Sequence, residues 1–265
     1  MKIARFRHED EIGFGILDEA ESGSALELVE LIGDPLMGSY ETTGRRIPLA
    51  EAQLLAPVIP RSKVVCVGKN YADHVEEMKD VTGLGSPEAP AEPLLFLKPN
   101  TAVVGPDDAI VRPAISQQVE YEGELAIVIG AVAKEVPVER AMEVVFGFTC
   151  ANDVSARDLQ TTDGQWARAK GFDTFCPLGP VIETDFDFSD ARIETRVNGE
   201  VRQRSSTANL IHSIKRIVAH ASEAFTLLPG DVILTGTPAG VGPIVAGDVV
   251  EVEVEGIGVL RNPVR

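Results

Sequence analysis

Residues 119–130, VEYEGELAIVIG, constrain this chain more than any other stretch. Glu120, Glu122 and Glu124 alternate with Tyr121, Gly123 and Leu125, and LAIVIG follows as an unbroken apolar run. A short run rich in Ile and Val is expected to be a buried strand, and period two turns all three glutamates to one face. A solvated strand face would account for the alternation alone. The apolar run that follows, however, takes the strand into a core. Carboxylates side by side at the mouth of a core repel one another, and a divalent cation relieves that repulsion. Oxygen ligands suit Mg²⁺, Mn²⁺ or Ca²⁺. Gly123, between two of the acids, lets another backbone or a ligand approach closely.

A further oxygen ligand is expected from GFTCANDVSARDLQ, where an apolar strand runs into a polar cluster and Asp153 is the candidate. An Asx turn or helix cap is the other role open to it. The four histidines, His8, His74, His212 and His220, show no metal-ligand spacing, which argues against a His-rich zinc site.

Other acid–base and cationic groups lie nearby in sequence. His74 and Glu77 are three residues apart in NYADHVEEM and share a face of one helical turn. A carboxylate that orients an imidazole makes it a general base near neutral pH, although a surface histidine with an acidic neighbour has the same spacing. Arg168 and Lys170, in QWARAKGFDTFCPLGP, form a local basic cluster in an acidic chain. It is either solvated or set beside an anionic substrate. LTGTPAGVG reads as a strand end and a glycine-rich turn, whose N–H groups can hold an oxyanion or carboxylate. It lacks the G-K-[ST] ending of a P-loop.

The rest of the chain predicts a β-rich α+β fold. Residues 1–58 are expected to form a small α+β unit, with two short strands (KIARFRH, IGFGILDE) and a helix over SALELVELI. APVIPRS, with Pro57 and Pro60, is the expected linker to a larger domain over 59–265. That domain carries the strands VVCVG, LLFLKP, VILTG and VVEVEVEGIGVL. Two helices are expected, one over 137–146 opened by Pro137 and one following Ser206 and Thr207. In the second, Leu210, Ile214, Ile217, Val218, Ala221 and Phe225 share a face. The polar, Pro- and Gly-rich residues 79–93 are either a surface loop or a lid.

The net charge of −17 argues against nucleic acid and anionic membrane surfaces as partners. No apolar run approaches the roughly 18 residues that span a bilayer, and the N-terminus has no signal-like apolar core, so a cytoplasmic protein is expected. Cys66, Cys150 and Cys176 have no C-x-x-C spacing and are expected to be reduced and structural.

Seven segments in order, VGKNYADHVEEM, LLFLKP, VEYEGELAIVIG, GFTCANDVSARDLQ, WARAKGFDTFCPLGP, VNGEVRQ and GDVILTGTPAGVG, resemble the fumarylacetoacetate hydrolase family. They span nearly all of 63–264, and the first 55 or so residues resemble the small N-terminal extension of bacterial members. The resemblance implies the family's mixed β-sandwich or β-roll. It implies Glu122, Glu124 and Asp153 as metal ligands, and so selects two of the three glutamates. It also implies a His74–Glu77 dyad with Lys170 as catalytic groups, and Gln160, Arg157, Gly236 and Thr237 as substrate contacts. A homodimer is implied as well. The stretch CVGKNY lacks the additional Asp ligand of the animal enzymes of tyrosine breakdown, which sets this chain in a shorter subgroup with three protein ligands. The implied substrate is a small 2-oxo acid. Cleavage of a C–C bond ranks first, as acylpyruvate hydrolysis or oxaloacetate decarboxylation. Isomerisation of a 2-hydroxy-dienedioate ranks second, and a non-catalytic keto-acid binder on the same fold is the rival from another class.

Overall fold

The computed structural model describes residues 1–20, 25–79 and 88–265. Strand Gly123–Ile129 is buried along its whole length and is central to a twelve-stranded sheet. Its side chains alternate between two cores. Leu125, Ile127 and Ile129 enter one cluster with Phe148, and Ala126 and Val128 enter another with Val64 and Leu234. Cover on both faces is why the segment reads as a continuous apolar run. Each fully buried Leu or Ile contributes about 1.5–3 kcal/mol.

On one side, Gly123–Ile129 pairs antiparallel with Val145–Asn152, which pairs with Cys176–Glu183. On the other it pairs with Val232–Leu234, then come Val64–Gly68 in parallel and Leu94–Lys98 at the edge. A second sheet of four strands, Glu200–Ser206, Arg192–Val197, Val249–Val254 and Gly258–Pro263, lays Ile193, Val252, Val254 and Leu260 onto the first core. Helix Ile214–Ala224 buries Ile214, Ile217, Val218 and Ala221 there too.

The N-terminal strands extend the same large sheet. Lys2–His8 pairs with Cys176–Glu183 through Lys2↔Glu183 and Ile3↔Ile182. The proline stretch expected as a linker is packed, with Val58 only 1% exposed.

Three helix expectations are corrected. SALELVELI contains a strand, Leu26–Ile32, paired on both sides. Leu28 and Leu31 are both buried at a spacing of three because the register shifts between Val29 and Leu31. That bulge imitates helical spacing. Among the described residues of 1–58 there is no α-helix, only two short 3₁₀ turns, so the α component expected there is not seen. Residues 138–144 form a 3₁₀ helix after Pro137, and the chain from Val145 joins the sheet. Ser206 caps only the 3₁₀ turn Thr207–Asn209, and the α-helix begins after Ser213. Leu210 lies before it, bridged to Tyr71.

Of the expected lid, residues 80–87 lie outside the described residues. All three cysteines are free and buried. Among the described residues no helix is long and apolar enough to cross a membrane.

Candidate active site and metal centre

Two strand ends meet to build the site. Val145–Asn152 runs antiparallel to Gly123–Ile129 with Asn152 opposite Gly123, and the chain then leaves the ladder at Asp153. The Asp153 N–H donates to the carbonyl of Glu122 at 2.8 Å, and the Glu122 N–H donates to Asn152 Oδ1 at 3.0 Å. The glutamate strand is itself interrupted at Glu122, between Val119–Tyr121 and Gly123–Ile129.

Glu122, Glu124 and Asp153, all buried, each bring one carboxylate oxygen within 4.8 Å of the others. Glu120 is not in this group. It accepts from Arg157 Nε at 2.8 Å and from Gln118 at 2.6 Å. Arg157 also donates to Glu122 Oε1 at 2.6 Å and to Gln160 Oε1 at 2.7 Å. The guanidinium therefore separates Glu120 from the cluster, a distinction that alternation along one strand could not make.

Lys170 Nζ lies 2.7 Å from both Glu122 Oε2 and Asp153 Oδ2. Lys98 Nζ pairs with the other oxygen of Asp153. Burial works against the charge of Glu122, yet Lys170 and Arg157 hold its carboxyl well below the usual range. Burial likewise opposes the charge of Lys170, but Asp153 and Glu122 raise its pKa. Glu124 differs. It accepts a hydrogen bond from the Gly236 N–H at 2.6 Å, and no cationic side chain among the described residues pairs with it. Burial, then Asp153 and Glu122, push its carboxyl well above the ordinary value.

Arg157, Lys170 and Lys98 thus pair with Glu120, Glu122 and Asp153, and Glu124, the least compensated, stands in a cluster of three hard oxygen donors. These donors fit a divalent cation of the Mg²⁺, Mn²⁺ or Ca²⁺ kind.

The other expected residues are distributed around this cluster. His74, on helix Ala72–Glu77, lines the same cleft, with Nδ1 3.1 Å from Glu77 Oε2. Glu77 Oε1 accepts from the Gly240 N–H at 3.0 Å. Burial alone would raise its carboxyl, but the hydrogen bonds from His74 and Gly240 leave it lowered. Arg157, Gln160, Lys170 and Thr237 line the cleft. Gly236 commits its N–H to Glu124. The glycine turn does hold carboxylates, but they are the protein's own. Arg168 is exposed and pairs with Asp163, away from the cleft, so the basic cluster expected with Lys170 is not formed.

Sequence reasoning missed Lys98 and Lys69. Lys98 is the one buried residue of strand Leu94–Lys98, and a lysine ending an apolar strand just before a proline was the available signal. Lys69 lines the cleft from a left-handed backbone conformation, φ +59°. Phe96 and Trp166 supply an apolar wall, edge to face at 5.1 Å.

The family model described as fumarylacetoacetate hydrolase C-terminal matches residues 63–265, and one described as Rv2993c-like, N-terminal, matches 1–57. A crystal structure of 5-carboxymethyl-2-hydroxymuconate delta-isomerase from Mycobacterium smegmatis is 52% identical, with a TM-score of 0.90 over 100% of this chain and 99% of that one. The mitochondrial oxaloacetate tautomerase FAHD2A of Bos taurus is 45% identical over 82% of this chain and 71% of the relative. The structure of maleylpyruvate hydrolase from Sphingobium sp. SYK-6 with manganese (II) and pyruvate is 30% identical, with a TM-score of 0.78 over 100% and 98% of the two chains. The chain belongs to the fumarylacetoacetate hydrolase family.

Proposed function

We propose that this member of the family is a divalent-cation-dependent enzyme that moves a proton at the carbon beside the keto group of a small 2-oxo acid, as a tautomerase or isomerase. The observation that carries the reading is that His74, held by Glu77, opens onto the same cleft as the three carboxylates. A base and a cluster for positive charge within one cleft are what enolisation requires. The isomerase and tautomerase relatives are 52% and 45% identical, against 41% for a fumarylacetoacetate hydrolase of Exiguobacterium antarcticum and 30% for the maleylpyruvate hydrolase, which supports placing proton transfer ahead of C–C cleavage.

Glu122, Glu124 and Asp153 would hold the cation. When bound, it supplies a Lewis acid for the negative charge that develops on the 2-oxygen. Lys170 and Arg157 keep Glu122 ionised, and Lys98 and Lys170 between them fix both oxygens of Asp153. Glu77, with its lowered pKa, is ionised at neutral pH and can only accept a hydrogen bond. His74 Nδ1 therefore carries the proton, and Nε2 is left with the lone pair that removes a proton from substrate. Gln160 has its oxygen committed to Arg157, so only its amide nitrogen can donate to a substrate oxygen. Phe96 and Trp166 give the cleft an apolar wall for the carbon chain of the substrate.

Cleavage of an acylpyruvate is the second reading, supported by the maleylpyruvate hydrolase relative. It would use the same base to activate water. A turnover panel of enol-oxaloacetate, a 2-hydroxy-dienedioate and an acylpyruvate, with Mg²⁺ or with chelator, tests both. Proton transfer that is lost on chelation supports the proposal. Cleavage without tautomerisation favours the second reading, and inertness toward all three refutes both.

A further inference from the structure

The segment VNGEVRQ contributes nothing that lines the cleft, although its last residue is unusual. Strand Glu200–Ser206 is largely exposed, and Gln203, 1% exposed, is its one fully buried residue. An inward strand position ordinarily carries an apolar side chain. A buried amide that lacked partners would cost about 1–3 kcal/mol for each unmet group. Here the amide is met. Oε1 accepts from the Gly123 N–H at 2.9 Å, and Nε2 donates to Thr237 Oγ1 and to the Pro238 carbonyl, each at 2.8 Å. The Gly123 N–H can only donate and the Pro238 carbonyl can only accept, so these partners determine the amide's orientation.

The partners stand at the junction of the site's two halves. Gly123 lies between Glu122 and Glu124, and its carbonyl accepts from Thr237 Oγ1 at 2.9 Å. The turn over 236–240 holds Glu124 through the Gly236 N–H at 2.6 Å and Glu77 through the Gly240 N–H at 3.0 Å. Strand Glu200–Ser206 also backs this turn directly. A β-carbon on Gly240, at φ +101°, would lie 2.1 Å from the Arg202 carbonyl oxygen.

We propose that Gln203 is a positioning residue that sets the His74–Glu77 dyad at its working distance from the carboxylate cluster by clamping the 236–240 turn to Gly123. It acts through Glu124 and Glu77 and touches no substrate. The activity and Mn²⁺ readouts below rest on the proposed function, and the hydrogen-exchange readout does not.

The test uses the full chain carrying Gln203→Met or Gln203→Glu. Amide hydrogen exchange is followed at Gly236 and Gly240, with Ile127 and Ile233 in the central sheet as references. Mn²⁺ affinity is measured by calorimetry, and kcat is followed against pH. The clamp predicts faster exchange at both glycines with the references unchanged, and Mn²⁺ affinity lower by about tenfold or more. It also predicts an acid limb of kcat displaced to higher pH as Glu77 loses the Gly240 hydrogen bond. A lower melting temperature with exchange at the glycines, Mn²⁺ affinity and pH profile all unchanged overturns it. Thr237→Val, which cuts the same link from the turn, is the companion variant. Failure of both variants to fold also overturns the proposal, since the link would then serve folding. If the unmodified chain binds no Mn²⁺ and turns over no 2-oxo acid, the proposed function fails, while exchange at the two glycines still judges the clamp.

Discussion

Lys98 Nζ donates to Oδ1 of Asp153 in an ion pair with solvent excluded from both side chains, and also donates to the Val154 carbonyl at 3.2 Å. With Lys170 on Oδ2, both oxygens of this carboxylate are held by cations from separate elements, the edge strand and the short helix Trp166–Lys170. Asp153 can therefore turn in neither direction without losing an ion pair, and its oxygens are presented to the cluster in one geometry.

Lys98→Met removes one of these two restraints and leaves a buried charge less compensated. Stability is expected to fall by about 3 kcal/mol, the lower end for breaking a buried pair. Divalent cation affinity should fall by about tenfold or more. Thermal unfolding and Mn²⁺ titration of the same preparation check both. An unchanged affinity would show that Lys98 serves packing alone.

His74→Ala removes the proposed base and leaves the carboxylate cluster intact. The rate of proton transfer should drop by about 10²-fold or more, the usual worth of general base catalysis, with Mn²⁺ affinity unchanged. A variant that retains full rate would exclude His74 from the chemistry.

The pH dependence follows from Glu77. Its folded carboxyl lies below the ordinary 4.5 because hydrogen bonds from His74 and Gly240 outweigh burial. A depressed folded pKa contributes stability that is fully present above the unfolded value and is lost as pH falls through the folded one. Acid unfolding below about pH 4.5 should therefore be less steep in Glu77→Gln than in the parent. Equal slopes in calorimetric melts across that window would contradict the assignment.

Gly123 is where the second sheet presses on the first. A β-carbon there would lie 1.9 Å from Thr195 Oγ1. Gly123→Ala is expected to cost about 1–3 kcal/mol or more through overpacking. Among the described residues Thr195 Oγ1 has no hydrogen-bond partner, so Thr195→Ala gives up little and should recover part of that loss in the double variant. Denaturant melts of the four proteins in the cycle measure the coupling, and strict additivity would show that the contact does not matter.

How legible each feature was in the sequence follows its range in the chain. The His74–Glu77 pair was readable because three residues on one turn fix its geometry. The burial of LAIVIG was readable because both its faces are covered. Leu28 and Leu31 misled because a bulge gave a strand the spacing of a helix. The choice of Glu122 and Glu124 over Glu120 depended on Arg157, 37 and 35 residues away from Glu120 and Glu122. Only the family resemblance anticipated that choice. Gln203 and Lys98 escaped because a polar residue on a strand reads as solvated until the fold encloses it, and neither local pattern nor periodicity records what packs on top.

The roles proposed for the cleft all depend on Glu122, Glu124 and Asp153 holding one divalent cation. Calorimetric titration of Mn²⁺ into the parent chain and into Glu124→Gln tests it most directly. Glu124 is the carboxylate without a cationic partner among the described residues, so the substitution removes a negative charge from the cluster and breaks no ion pair. The expected result is one site per chain in the parent and its loss in a variant that still melts cooperatively. Equal Mn²⁺ binding by the two proteins would contradict it.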